Sequence, residues 1–237
     1  LHNREFNKIE KMQPQIIKKY EQLNDKHNLA AEFHFMGEYY LKIGNIDKSL
    51  DNYNKSLKMF IELDRKARIY YTLHDIGRVY YSKGDLNKAL EYSNRSFDMA
   101  ENIGGDTESP LNLKGKIYNI KGNFLKAKEY LENALALQKV VGYKEKELET
   151  TTNLFLAYKH LDKEYNIKEI DVLIKESGYI EYEVNLNLFE LLENPSYLET
   201  AYNQVQELAD NLEPDVAAKF LSYPIPKAIV EEWEKVK

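Results

Sequence analysis

The sequence has 237 residues, of which 43% are hydrophobic and 30% charged, so it can bury a sizeable core. Its 33 basic and 39 acidic residues give a formal net charge of −6 at pH 7, which makes nucleic acid a poor candidate partner. The complete lack of cysteine excludes disulfides, thiolate zinc sites and cysteine nucleophiles, and it favours a cytoplasmic protein.

The N-terminal residues 1–27 are predicted to form part of a helical repeat. Residues 16–23 match the second helix of a repeat unit whose first helix is weak or missing. An unstacked unit leaves an apolar face exposed, and the sequence begins with Leu1 rather than Met. We therefore expect that residues upstream of Leu1 have been removed. No apolar stretch approaches the roughly 20 residues that span a bilayer, so no membrane partner is expected.

An internal repeat dominates the region 28–175. Residues 33–50 align with residues 73–90 at a constant offset, since Gly77 follows Gly37 by 77 − 37 = 40 positions. A third copy is centred on Gly115, which gives 115 − 77 = 38, and a fourth, degenerate copy aligns Tyr158 with Tyr118. The predicted units are 30–64, 70–103, 108–141 and, for the degenerate copy, 148–175.

Each unit has the pattern of two short helices that pack against each other. In the first copy, apolar residues recur at the helical spacing i, i+3, i+4 and i+7, at Phe33, Met36, Gly37 and Tyr40. A glycine followed by Asn or Asp then predicts a helix end and a new helix start. Small residues follow on the second helix, and they permit close antiparallel packing. These positions are Ser49 and Ser56, Ala89 and Ser96, and Ala127 and Ala134.

This pattern resembles the tetratricopeptide repeat, in a long-loop variety with a period of about 40 residues rather than the usual ~34. The sequence departs from the family pattern at Ser49, where Ala is expected, at Ser93, where an aromatic residue is expected, and at Lys114, where an aliphatic residue is expected. The resemblance implies an all-α, right-handed superhelical array of antiparallel helix pairs. It also implies a scaffold for protein or peptide binding.

The tail, residues 176–237, lacks the repeat pattern and is predicted to form C-terminal capping helices. Asn194-Pro195, Pro214 and the run Tyr223-Pro224-Ile225-Pro226 divide it into short helices. This tail resembles the C-terminal ends of repeat regions in multidomain bacterial signalling proteins, such as nucleotide cyclases and ATPase-type regulators.

The motif search favours a protein without catalytic activity, metal or cofactor. The sequence contains no HExxH motif, no dinucleotide-binding glycine motif and no P-loop, and Gly104-Gly105 lies in a predicted turn between repeats. Two sequons, at Asn54 and Asn94, would normally indicate glycosylation. Their serines, Ser56 and Ser96, occupy the small buried position of the second helix, so packing explains them.

Candidate partner-binding residues are predicted on the first helix of each unit, on the side that lines the concave groove by analogy with the family. They are His34, Glu38, Leu41, Tyr71, His74, Arg78, Tyr81, Asn112, Lys116, Asn119, Thr152 and Lys159. Tyr, His, Arg, Asn and Lys combine hydrogen bonding with aromatic anchors, as interface hot spots do.

Two alternatives concern the ligand of this groove. Some family members clamp a C-terminal carboxylate with Lys and Asn, but Glu38 and His34 stand where the first repeat would supply the cation and the amide. A peptide that places an acidic group near Arg78 and Lys116, both predicted to be solvent-accessible, is the milder expectation. If His74 touches the ligand, affinity is expected to shift between pH 6 and 7.

The sequence therefore predicts a non-catalytic scaffold whose concave groove binds a protein or peptide. The alternative is a regulatory or sensory segment of a larger signalling protein, in which ligand binding alters an attached kinase, cyclase or ATPase.

Overall fold

The computed structural model describes residues 2–142 and 144–237, and Leu1, on which the expectation of missing upstream residues partly rests, lies outside them. Every regular element in the described residues is an α-helix, which confirms the predicted all-α class. The helices are α1 His2–Gln22, α2 Lys26–Lys42, α3 Ile46–Glu62, α4 Lys66–Ser82, α5 Leu86–Asn102, α6 Glu108–Ile120, α7 Phe124–Val141, α8 Lys144–His160, α9 Ile167–Glu176, α10 Tyr182–Leu192, α11 Pro195–Asp210, α12 Pro214–Ser222 and α13 Pro224–Val236.

Consecutive helices from α2 to α9 pack as pairs, and the pairs stack into a superhelical array. The tightest packing lies within the pairs α2–α3, α4–α5 and α6–α7, and α8 packs against both α7 and α9. The first helices of neighbouring pairs also contact one another, α2 with α4, α4 with α6 and α6 with α8. These four helices form one continuous layer, which we call the inner layer.

The turn inside each of the first three pairs combines a left-handed glycine with a capping residue. Gly84 has φ +80°, a conformation that costs glycine little because it has no Cβ. The next residue, Asp85, accepts a hydrogen bond from the Lys88 backbone N–H at 3.2 Å and so caps α5. Gly44-Asn45 and Gly122-Asn123 repeat the arrangement. In the degenerate copy Asp162 takes the left-handed conformation, and Asn166, four positions later, caps α9.

Glycines on α2, α4 and α6 let the two helices of a pair approach closely. A Cβ on Gly37 would lie 2.6 Å from the ring of Tyr53, and one on Gly115 would lie 2.4 Å from Leu131. Both distances are shorter than real Cβ contacts allow, so any side chain at these positions would force the pair apart.

Buried serines explain the departures from the family pattern at Ser49 and Ser93, and they explain the two sequons. Ser49 donates to the carbonyl of Gly37 at 2.7 Å, and Ser93 donates to the carbonyl of Pro110 at 2.9 Å. Ser56 and Ser96, the sequon serines, donate at 2.8 Å to backbone carbonyls of the partner helices. All four are fully buried. A small residue is needed at each site, and the hydroxyl adds a hydrogen bond to a neighbouring helix, which is the paired helix for Ser49, Ser56 and Ser96 and the first helix of the next pair for Ser93.

The C-terminal helices pack on the end of the array and also return to its beginning. α10 contacts α8 and α11, and α11 contacts α12 and α13. Phe220 of α12 is buried beside the first turn, where a Cβ on Gly44 would lie 2.8 Å from its ring. At the second turn, a Cβ on Gly84 would lie 2.6 Å from Pro224. The tail therefore joins the last helix pair to the first two.

Candidate functional site

All twelve predicted site residues lie on the inner layer, but they differ in exposure. Tyr71 and Lys159 are exposed. Six are partly buried: His34, Glu38, Leu41, His74, Arg78 and Asn119. The remaining four are buried: Tyr81, Asn112, Lys116 and Thr152. The expectation that both Arg78 and Lys116 are solvent-accessible is correct for the Arg78 side chain, at 39% exposed, and wrong for the Lys116 side chain, at 9%.

The first polar link of the inner layer joins α2 to α4. The His34 Nε2 atom lies 3.0 Å from Oδ2 of Asp75, and Arg78 donates to the other carboxylate oxygen at 3.2 Å. Burial alone would raise the pKa of Asp75, but the hydrogen bond from His34 and the charge of Arg78 outweigh it and lower that pKa. Asp75 is thus held as a carboxylate between His34 and Arg78.

A second link joins α4, α6, α8 and α10 around the Lys116 ammonium. The carboxylates of Glu149 on α8 and Glu183 on α10 both bind this ammonium, at 2.5 and 3.0 Å. Tyr81 of α4 donates its hydroxyl to Glu183 at 2.6 Å, and its ring lies 4.8 Å below the ammonium. Asn112 donates to the second oxygen of Glu149 at 3.3 Å. Lys116 is therefore enclosed by the protein's own acceptors, which explains its burial.

Lys116, Glu149 and Tyr81 do not change their charge near neutral pH. Burial alone would lower the pKa of Lys116, but Glu149 and Glu183 reverse that effect and raise it well above the usual range. Burial alone would raise the pKa of Glu149, and Lys116 reverses that effect as well, so the pKa is lowered. For Tyr81, burial and the Glu183 charge both raise the pKa. The site therefore holds a charged lysine against two carboxylates with a neutral phenol beside them.

Hydrogen bonds to the backbone hold three further residues of the predicted set. Asn119 donates to the carbonyl of Asn153 at 2.8 Å, and Thr152 donates to the carbonyl of Glu149 at 2.9 Å. Lys159 donates to the carbonyl of Glu190 on α10 at 2.8 Å. The side-chain oxygens of Asn112 and Asn119 are buried and have no hydrogen-bond partner in the described part of the chain.

The expectation that affinity shifts between pH 6 and 7 through His74 is wrong. Desolvation by the surrounding protein lowers the pKa of His74 to about 4, and the positive charge of Arg78 acts in the same direction. His74 is therefore neutral throughout the interval from pH 6 to 7, so its protonation cannot change affinity there.

Four acidic residues of the site are not among the twelve predicted from the sequence. Glu149 was recoverable, because the spacing i, i+3, i+7, i+10 that gives Tyr71, His74, Arg78 and Tyr81 also places Glu149 before Thr152 in the fourth copy. The other three are Asp75, Glu181 and Glu183. Asp75 lies one position off that stripe, and the two glutamates belong to the tail, which carries no repeat signal.

Among residues 2–142 and 144–237, no group of His, Asp or Glu is arranged to hold a metal ion. Within the same residues, no helix is both long and apolar enough to cross a membrane.

The fold and the inner layer define a helical-repeat protein of the interaction-scaffold class. Residues 28–102 match one family model described as tetratricopeptide repeat, and residues 109–140 match a second model with the same description. These residues are tetratricopeptide repeats, as the sequence pattern predicted. Such repeats support a role in protein interaction, and this fold is generally a non-catalytic scaffold.

Solved structures share the fold at low sequence identity. A putative kinesin light chain from Podosopora anserina with nearly identical TPR-like repeats is 15% identical with a TM-score of 0.53, covering 80% of this chain and 90% of that one. BtubC (BKLC) from P. vanneervenii is 15% identical with a TM-score of 0.57, covering 98% of this chain and 90% of that one. No curated protein matches the sequence.

Proposed function

We propose that the inner layer binds a peptide segment of a partner protein. The observation that carries the proposal is the exposed side chain of Tyr71, which lies on the same stripe of α4 as the partly buried Arg78. Tyr71 is 43% exposed, and its ring packs against Tyr70 with the ring centroids 4.1 Å apart. An aromatic ring that is supported from behind and accessible in front loses little side-chain entropy on binding, as hot-spot residues require.

The polar links of the inner layer support this proposal because they pre-organise the surface. The bond of Asp75 to His34 connects α4 to α2, and the bond of Lys116 to Glu149 connects α6 to α8. Side chains held in this way need not be ordered when a partner binds, which lowers the entropic cost of association.

The expectation that the ligand places an acidic group near Arg78 and Lys116 has to be revised. Lys116 is buried and already bound to two carboxylates, and Arg78, although 39% exposed, is paired with Asp75, so an acidic ligand would compete with the protein's own carboxylates. The carboxylate-clamp alternative, which depends on such cations, loses its support for the same reason.

The experiment is a selection of short peptides from a displayed random library on the intact chain. Affinities of the selected peptides are then measured for the parent, for Tyr71→Ala, and for Ile61→Ala. Ile61 is the matched control, because it is an apolar residue of α3 that is 54% exposed outside the inner layer. We expect Tyr71→Ala to weaken binding by about tenfold or more and Ile61→Ala to leave it unchanged. Failure to select any peptide, or equal losses in the two variants, contradicts the proposal.

A further inference from the structure

We propose that the peptide recognised by the inner layer presents a positively charged, hydrogen-bond-donating side chain, lysine or arginine, to the surface between α6 and the start of α10. This inference rests on the proposed function and adds the chemistry of the ligand. Three observations support it: the balance of charges, the unpaired carboxylate that contributes to that balance, and unsatisfied acceptors on α6.

The charges of this surface do not balance. Four carboxylates meet there, those of Asp75, Glu149, Glu181 and Glu183, whereas Arg78 and Lys116 are the fixed cations that face them. With histidines counted as neutral, four negative and two positive charges leave a formal excess of two negative charges. A cationic ligand would neutralise that excess, and an anionic ligand would increase it.

Glu181 is the carboxylate left over. Asp75, Glu149 and Glu183 each bind Arg78 or Lys116, but Glu181 makes no hydrogen bond or ion pair within residues 2–142 and 144–237. Although it is the N-cap residue of α10, its side chain does not cap that helix. Desolvation raises its pKa, and the nearby charge of Glu149 raises it further. The residue is exposed, so a ligand can reach it.

The unsatisfied polar atoms of α6 are also acceptors. Asn112 is 9% exposed, and its amide NH₂ must face the Glu149 carboxylate to which it donates. Its side-chain oxygen consequently points away from Glu149 and has no donor among the described residues. The oxygen of Asn119 is likewise without a donor. Because the two residues are seven positions apart, they lie on one face of α6 about 10 Å from each other.

These observations select the same kind of group. A buried acceptor without a donor destabilises the free protein, and a ligand that supplies the donor removes that cost. Lys116, which lies between the two asparagines on α6, has its ammonium bound to Glu149 and Glu183. A ligand ammonium or guanidinium carries several donors and a positive charge, so one such group can pair with Glu181 or donate to one of the two asparagine oxygens, which lie too far apart for a single group to bridge.

The test uses three fluorescent pools of short random peptides that differ only at their charged positions, which hold lysine and arginine, glutamine, or glutamate. Fluorescence anisotropy at physiological ionic strength measures binding of each pool to the parent, Glu181→Gln, Glu129→Gln and Tyr71→Ala. Glu129 is an exposed glutamate of α7 and controls for non-specific attraction to a protein of net charge −6.

We expect the basic pool to bind best, and Glu181→Gln to weaken its binding about five- to tenfold while Glu129→Gln changes it less than about twofold. If the acidic or neutral pool binds as well as the basic pool and Tyr71→Ala weakens that binding, the charge inference is overturned and the groove function stands. Equal effects of Glu181→Gln and Glu129→Gln also overturn the charge inference. If no pool binds, or Tyr71→Ala changes nothing, the proposed function fails and the inference fails with it.

Discussion

The ammonium of Lys116 lies 3.0 Å from the carboxylate of Glu183, although 67 residues separate them in the chain. The contact ties the third repeat to the helix that follows the fourth. Tyr81, from the second repeat, binds the same carboxylate, so one glutamate holds α4, α6 and α10 together. The interior of the site is thus part of the stabilising structure, and the surface available to a partner lies around it.

Removing Lys116 is therefore expected to destabilise the fold. Lys116→Ala would leave the carboxylates of Glu149 and Glu183 partly buried without their cation, which costs about 3–5 kcal/mol. Urea unfolding at neutral pH measures the change. Lys58→Ala, at an exposed position of α3, is the control and should change stability by less than ~0.5 kcal/mol. Equal stability of the two variants would show that Lys116 is not held as described.

The closest helix approach in the second repeat is expected to tolerate no large side chain. A Cβ on Gly77 would lie 3.1 Å from Leu113 and 3.4 Å from the Ala89 carbonyl oxygen, so the branched end of leucine has no space. Gly77→Leu should lower stability by about 1–3 kcal/mol or more. Thermal unfolding provides the measurement, with Gly178→Ala as the control, because a Cβ there meets nothing within 4 Å. An unchanged midpoint for Gly77→Leu would mean that the register of the repeat is wrong.

His74 is expected to make the fold less stable as the pH falls below neutrality. Its pKa is about 4 in the folded chain and about 6.5 when unfolded, so the unfolded state binds the proton first. The contribution of neutral His74 is fully present above pH 6.5 and is lost as the pH falls toward 4. Between pH 7 and pH 5 the loss should be about 1–2 kcal/mol.

Stability curves of the parent and of His74→Gln, measured across this interval, isolate that contribution. The variant should lose less stability than the parent between pH 7 and pH 5, because glutamine does not titrate. Parallel curves would mean that His74 is not desolvated in the folded chain.

The return of the tail to the first repeat is expected to contribute strongly to stability. Phe220 is 1% exposed between the Gly44 turn and Tyr182, so Phe220→Ala should cost about 3–5 kcal/mol. Its neighbour Lys219 binds Asp47 at the surface, and Lys219→Ala should leave the thermal midpoint nearly unchanged. If both variants melt like the parent, the tail does not pack on the first repeat.

The local features of the array could be predicted from the sequence because each depends on nearby residues. Gly84 and Asp85 end one helix and cap the next through atoms within a few positions of each other. Contacts of Gly77 with its paired helix and with the next repeat are enough to explain why this position has no side chain. Contacts within a repeat or between neighbouring repeats recur about every 40 residues, so a sequence pattern of that period predicts them.

The electrostatics of the site could not be predicted in the same way. Lys116 has the spacing of an accessible groove residue, and its burial follows from Glu183, which belongs to a tail without repeat pattern. The shifted pKa of His74 likewise depends on desolvation by side chains that only the packed array brings together. Spacing therefore placed the predicted residues together on the inner layer, whereas long-range packing decided which of their charges are paired within the protein.

We propose that partners bind the inner layer. Hydrogen–deuterium exchange of the chain, alone and saturated with its tightest selected peptide, tests it most directly. We predict slower exchange in α4, α6 and α8, because a bound segment restricts local opening there. No change is expected in the second helices of the pairs, α3, α5 and α7, which lie outside the inner layer and are here called the outer helices. Protection confined to those outer helices, with α4, α6 and α8 unchanged, would contradict the account.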